Sequence, residues 1–402
     1  MGRTSTARRE PLRPAAAAVA PRVRALSRMP TLDGLRFVAV VLTSAVHLYP
    51  RAVPGGLLGV DIFFVLSGFL ITVLLLTSAD GHGRIPLKRF YLRRTRRLLP
   101  AVSLLLVTFA IWVVASGPTA YNLKVAAVVI GSVVAYVFNW AGVLGHEAPW
   151  QVDHLWSLSV EEQFYLVWPV LLMLIIRRCR PRVVMAVTAS AAAASVLAQT
   201  VAWLVTGNVN VVYLASPLRA EGILLGCLLA QAYVWGSHEG VVTWLARARW
   251  PLLATGLVVA GLSLTMGIDD SLTYEGGMAL GVLSATVMVA SLVAKETTGS
   301  VSGLLRATLG NRVMVGLGKR SYSIYLWQNP VAWALTTPLL DSYWWLPANV
   351  AGTLICAQIS YVCVERPFLR RRKAPSHQVG PAQVQSAPVL AARDVGPSAA
   401  AG

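Results

Sequence analysis

Apolar runs of about 20 residues follow one another along most of this chain, and that repetition constrains the fold more than any single motif. Eleven of them lie near residues 35–50, 57–78, 98–116, 123–140, 157–176, 183–206, 213–235, 250–267, 274–294, 318–339 and 345–365. A helix of about 20 residues covers the roughly 30 Å hydrocarbon core of a bilayer. With 56% hydrophobic and only 13% charged residues over 402 positions, the chain is too apolar for a soluble domain of this length. The expected class is all-α, a polytopic helical membrane protein.

The net charge of +18 would suggest nucleic acid in a soluble protein. Here the placement of basic residues accounts for it. Clusters at 1–30, 79–97, 177–182, 247–249, 295–320 and 366–373 hold 30 of the 35 lysines and arginines. If all face the cytoplasm, the positive-inside rule is obeyed and both termini are cytoplasmic. For RRTRR (93–97) and RRCRPR (177–182) to share a side, an even number of crossings must separate them, yet three runs lie between. We therefore expect run 123–140 to be re-entrant or interfacial, leaving about ten transmembrane helices; eleven is the alternative.

The Arg-, Ala- and Pro-rich residues 1–30 and the Pro/Ala/Gln-rich residues 369–402 read as disordered cytoplasmic tails around one membrane domain, 31–368. The start of the chain does not read as a secretory leader. Cys179, Cys227, Cys356 and Cys363 fit neither a zinc site nor a redox pair by spacing, and we expect inert thiols and no metal.

Within the first run, LDGLRFVAVVLTSAVHLYP, Arg36 and His47 are the misfits. Eleven residues separate them, which on a helix is about 16 Å of rise and a return to nearly the same face. A cation near one boundary and a titratable base half a bilayer away suit a long, phosphate-headed ligand, and coenzyme A has that shape. The plainer account is an arginine reaching the lipid headgroups and a histidine at the far interface. Further ionisable groups fall at similar depth in other runs: Asp61 in GVDIFFVLSGFLIT, Glu161 and Glu162 in HLWSLSVEEQFYLVWP, and Arg219 and Glu221 in SPLRAEGILLG. Such groups are costly in lipid unless they pair or line a cavity, so they suggest one polar pocket or salt bridges between helices.

These motifs together resemble the acyltransferase-3 family of membrane O-acyltransferases, which includes bacterial polysaccharide O-acetyltransferases and macrolide acyltransferases. The resemblance rests on Arg36 and His47 within LDGLR…H, on GVDIFFVLSGFLI, FYLRRTRRLLP (90–100), LWSLSVEEQFYLVWP, LRAEGILLG and GKRSYSIYLWQNPV (318–331), in order from about 31 to 368. Three departures stand out. Gln328 occupies a position where the family often has a histidine, Glu221 stands where an aspartate is common, and no hydrolase-like outer domain is expected after the last span.

The resemblance implies transfer of an acyl group, most often acetyl, from acyl-CoA as donor substrate to a hydroxyl, with no permanently bound cofactor. His47 is the expected general base, since histidine titrates near neutral pH. Glu161 is expected to hold its imidazole, Arg219 to stabilise the oxyanion or position the carboxylate, and Asp61 to fix either one. Arg36, Arg93, Arg94 and Arg97 are the expected ligands of CoA phosphates, although for the last three the positive-inside rule is an adequate explanation by itself. The acceptor stays open between a cell-envelope glycan or glycolipid and a macrolide. A proton-coupled transporter or flippase is the competing class, against which stand the absence of repeated halves and of paired broken helices in the sequence.

Overall fold

The structure, a computed structural model, describes residues 29–236, 239–339 and 342–370. The expected tails therefore lie outside the described residues except at their inner edges. Among the described residues all regular structure is helical. In chain order the helices are α1 Pro30–Leu48, α2 Leu58–Ser78, α3 Leu87–Ala115, α4 Ala120–Val134, α5 Phe138–Val143, α6 Leu155–Ile176, α7 Pro181–Thr206, α8 Val209–Leu214, α9 Glu221–Trp235, α10 Glu239–Arg247, α11 Trp250–Thr265, α12 Met278–Thr297, α13 Gly303–Ala307, α14 Arg312–Lys319, α15 Ser321–Leu339, α16 Trp345–Ile359 and α17 Arg366–Arg370.

Seven helical stretches are long and apolar enough to cross a bilayer, and a pair bent by 73°, Gly240–Arg247 with Trp250–Thr265, makes an eighth. This is the polytopic all-α architecture expected from the apolar runs. Two of the ten expected spans look different in detail. In run 213–235 the 3-10 turn Ser216–Arg219 takes the first residues, so α9 keeps only 15. In run 318–339, α15 carries Ser323, Gln328 and Asn329, all buried against protein. The segment expected not to cross is indeed short: α4 has 15 residues, about 22 Å of helix against the roughly 30 Å needed.

The centre of the bundle is α2, whose Val60, Phe64, Val65, Phe69 and Leu75 are all buried. It meets α9 backbone to backbone. A Cβ on Gly68 would sit 2.0 Å from the Ile223 carbonyl oxygen, and one on Gly226 would sit 2.1 Å from that of Val65. Small residues on both sides let the helices approach this closely, the packing that membrane helices favour where apolar side chains gain little over lipid.

Polar contacts fix the elements around the site. Glu296, at the end of α12, accepts hydrogen bonds from the Thr31 amide at 3.0 Å and hydroxyl at 2.7 Å, placing a carboxylate at the positive end of α1. On α6, the Gln163 amide donates to the Tyr136 carbonyl and to Asn139, and Asn139 in turn donates to the Leu214 carbonyl and Ser216. This network ties the break between α4 and α5, where Tyr136 has a positive φ of 59°, to the segment before α9.

Candidate active site

Two cavities open at different heights along α1. One, of about 80 Å³, is lined by Arg36, Arg94, Arg97, Ser67, Glu161 and Tyr165 among others. The other, of about 880 Å³, is lined by His47, Asp153, Trp156, Tyr213, Lys124 and His146 among others. The larger volume falls within the usual range for small-molecule sites, roughly 300–1,000 Å³. Val60 on α2 and Tyr325 on α15 belong to the walls of both. The helical spacing of Arg36 and His47 thus puts one cavity at each, with Val60 and Tyr325 as a partition between them.

The smaller pocket is basic. Arg94 lies over the Tyr165 ring at 3.3 Å and donates to Glu162 at 3.0 and 3.2 Å, with Glu161 3.9 Å away. Glu161 also accepts from the Ser67 hydroxyl at 2.7 Å. Of the adjacent glutamates, Glu161 lines the pocket, while Glu162 turns to Arg94. Arg94 is therefore already matched by carboxylates. Arg36 and Arg97 supply the pocket's remaining positive charge, and the Arg36 Nε is buried with no hydrogen-bond partner. A buried cationic donor left over in this way suits an anionic ligand. Arg93 is not among the residues that line it.

The larger cavity holds His47. His47 sits in the last turn of α1, and its Nδ1 lies 2.6 Å from the Thr43 carbonyl oxygen. A carbonyl can only accept, so Nδ1 carries the hydrogen and Nε2 keeps its lone pair. Glu161, expected to orient this ring, is held by Ser67 and Arg94 in the other pocket, and the structure does not bring it to His47. Two carboxylates line His47's cavity, Glu147 and Asp153; Asp153 is the one that feels the His47 charge, and it accepts from the Asn329 amide at 2.7 Å. The Asp153 side chain is 37% exposed. Burial pushes its carboxyl above the ordinary range, while the neighbouring His47 and Asn329 pull it back.

Asp153 was missed by the sequence reading because it lies in the turn before α6, outside any apolar run. Its place immediately before the HLWSLS motif was the available signal. Beside it, His154 is fully buried edge-on to Tyr325, with ring centroids 5.1 Å apart. Burial, helped by the nearby His47, pushes His154 down to about 3, against a hydrogen bond with the Leu326 backbone.

Arg219 and Asp61 form a separate cluster. Arg219 donates to Asp61 at 2.7 Å and to Glu221 at 3.4 Å, and both Arg219 and Asp61 are 0% exposed. Its guanidinium lies 5.1 Å from the Tyr213 ring centre and 5.9 Å from that of Trp156, aromatics that wall the larger cavity. Arg219 thus stands behind this wall and is not among the residues that line the cavity. Asp61 fixes Arg219 there. Gln328 takes a bracing part as well: it accepts from Ser44, one turn before His47 on α1. Tyr325 is pinned by Ser157, 2.6 Å from its hydroxyl, and by the His154 carbonyl.

The family model described as an acyltransferase domain matches residues 29–364. The chain belongs to that family. The match takes in α1 with both its cavities, α2, the arginine-bearing α3, α6 and α15. Among curated relatives of the family, this chain is 31% identical over 358 residues to the peptidoglycan O-acetyltransferase OatA of Listeria monocytogenes, covering 85% of this chain and 56% of the relative. It is 32% identical to the putative peptidoglycan O-acetyltransferase YrhL of Bacillus subtilis, covering 85% and 55%. It is 29% identical to the O-acetyltransferase OatA of Staphylococcus aureus, covering 85% and 57%. The chain spans little more than half the length of these relatives. No solved structure matches it.

Proposed function

We propose that this chain is a membrane O-acyltransferase. It takes an acetyl group from acetyl-CoA at the basic pocket and passes it to a sugar hydroxyl of a cell-envelope glycan in the larger cavity. The observation that carries this reading is the pair of cavities that meet at Val60 and Tyr325, with Arg36 in one and His47 in the other. The names of the Listeria and Bacillus relatives support acetyl as the group and a glycan as the acceptor.

The donor's phosphates meet Arg36 and Arg97. At about 80 Å³ the pocket takes the narrow pantetheine arm and leaves the nucleotide at the mouth, where Arg97 is exposed. The thioester then reaches the wall at Val60 and Tyr325, which must part to let its carbonyl and sulfur meet the larger cavity. On the other side, His47 Nε2 accepts the proton of the acceptor hydroxyl as its oxygen attacks the thioester carbonyl. A C–O bond forms and the C–S bond breaks. The departing thiolate recovers the proton from the imidazolium, giving free CoA and a sugar ester. Asp153 acts as a positioning residue that favours the transient imidazolium. The basic end faces the cytoplasm, as the charge distribution favours, and the larger cavity opens on the opposite side.

The test is transfer by purified protein in liposomes, with labelled acetyl-CoA inside and peptidoglycan fragments outside. Wild-type protein should release CoA and label the glycan; His47→Gln should do neither. Labelling by the variant at the wild-type rate would overturn His47 as the base, and labelling only with donor and acceptor on the same side would overturn the arrangement of the two cavities.

A further inference from the structure

Beside the larger cavity lies a third, of about 250 Å³, between the end of α3, the start of α4 and residues 147–149. Tyr121, Val125, Glu147 and Ala148 line both, so the two cavities adjoin. The small chamber has three aromatic rings, Phe109, Trp112 and Tyr121, and three polar side chains, Ser116, Asn122 and Glu147. Trp112 is held edge-on by Trp333, centroids 4.5 Å apart, with Phe109 at 6.0 Å, so its ring is set before any ligand arrives. Tyr121, in contrast, is 73% exposed.

Rigid aromatic faces with a few hydroxyl, amide and carboxylate groups match a sugar ring, which has apolar C–H faces and a polar rim. We propose, resting on the reading that the acceptor is a glycan, that this chamber is a second saccharide subsite. It holds the sugar next to the one being acylated, so that the enzyme selects chains over single sugars. Binding energy at this remote point positions the reacting hydroxyl at His47.

The experiment measures Kd for N-acetylglucosamine and for its β-linked tetramer, by titration of protein in nanodiscs. The wild type should bind the tetramer at least about tenfold more tightly than the single sugar. In Trp112→Ala that ratio should fall toward one, and Trp112→Phe, which keeps a ring, should restore part of it. A melting curve for each variant shows that it is folded. Equal affinities in the wild type, or a ratio that survives Trp112→Ala, would overturn the subsite. So would failure of the wild type to bind either sugar; acetyl transfer to glycan in the liposome assay then shows independently whether the acceptor reading falls with it.

Discussion

His47 donates through Nδ1 to the carbonyl of Thr43, one helical turn earlier on α1, at 2.6 Å. The helix itself therefore selects the tautomer that leaves Nε2 free to accept a proton. Removing the imidazole removes that acceptor. His47→Gln is expected to lower the transfer rate by about 10²–10⁴-fold, the usual contribution of a positioned general base. The readout is acetyl transfer to glycan at saturating donor, with the melting temperature unchanged.

The arginines of the basic pocket should divide into two kinds. Arg36 has an unpaired buried nitrogen, so Arg36→Gln is expected to raise the KM for acetyl-CoA about 10- to 100-fold, the worth of a charge-assisted contact. Arg94 is committed to Glu161 and Glu162. Arg94→Gln strands two carboxylates and should first reduce the yield of folded protein, seen in the monodisperse fraction after extraction.

Arg219 is expected to matter for folding more than for chemistry. Arg219→Met leaves Asp61 and Glu221 buried without their cation, a loss of about 3–5 kcal/mol. Asp61→Asn retains the Arg219–Glu221 pair and should be the milder change. Thermal unfolding in detergent ranks the two; equal stability of Arg219→Met and wild type would remove the bracing role.

Gly226→Ala puts a methyl group 2.1 Å from the Val65 carbonyl oxygen, and backbone cannot step aside as a flexible side chain can. The expected cost is about 1–3 kcal/mol, read as a lower melting temperature. Gly256→Ala, where the added carbon meets nothing within 4 Å, is the matched control.

Acid should destabilise the protein through His154. Its folded value is about 3, below the ordinary 6.5, so the unfolded chain takes up the proton first as pH falls. The full contribution of the neutral ring is present above about pH 6.5 and is lost below it, at up to about 1.4 kcal/mol per pH unit. Melting curves at pH 7.5 and 5.0 for wild type and His154→Asn isolate this group. The gap between the two proteins should change with pH in the direction of a larger acid loss for wild type.

The class of fold was legible because a membrane imposes one length and one composition on every crossing. Arg36 and His47 were legible as a pair because helical periodicity is visible in sequence. What sequence could not show is which polar group meets which across helices. Glu161 reads as a partner for His47, yet Ser67 and Arg94 hold it in the other pocket. Arg219 reads as a candidate for chemistry, yet aromatic residues from α6 and α8 close it off. Asp153 and Tyr325 become visible only through the packing of α15 against the start of α6. Pro217 in SPLR marks the turn that shortens α9.

The contact of α2 with α9 has one more consequence. Helices that touch through their backbones at Gly68 and Gly226 have no side chains there to slide over one another, so they move together or not at all. Val60 stands on this fixed half. Any widening of the passage at the partition must therefore come from the opposite half, through Tyr325 letting go of Ser157 and the His154 carbonyl. One phenol ring, swinging on two polar contacts, would then be the valve, and the scaffold around it could stay sealed while a fragment of two carbons goes by.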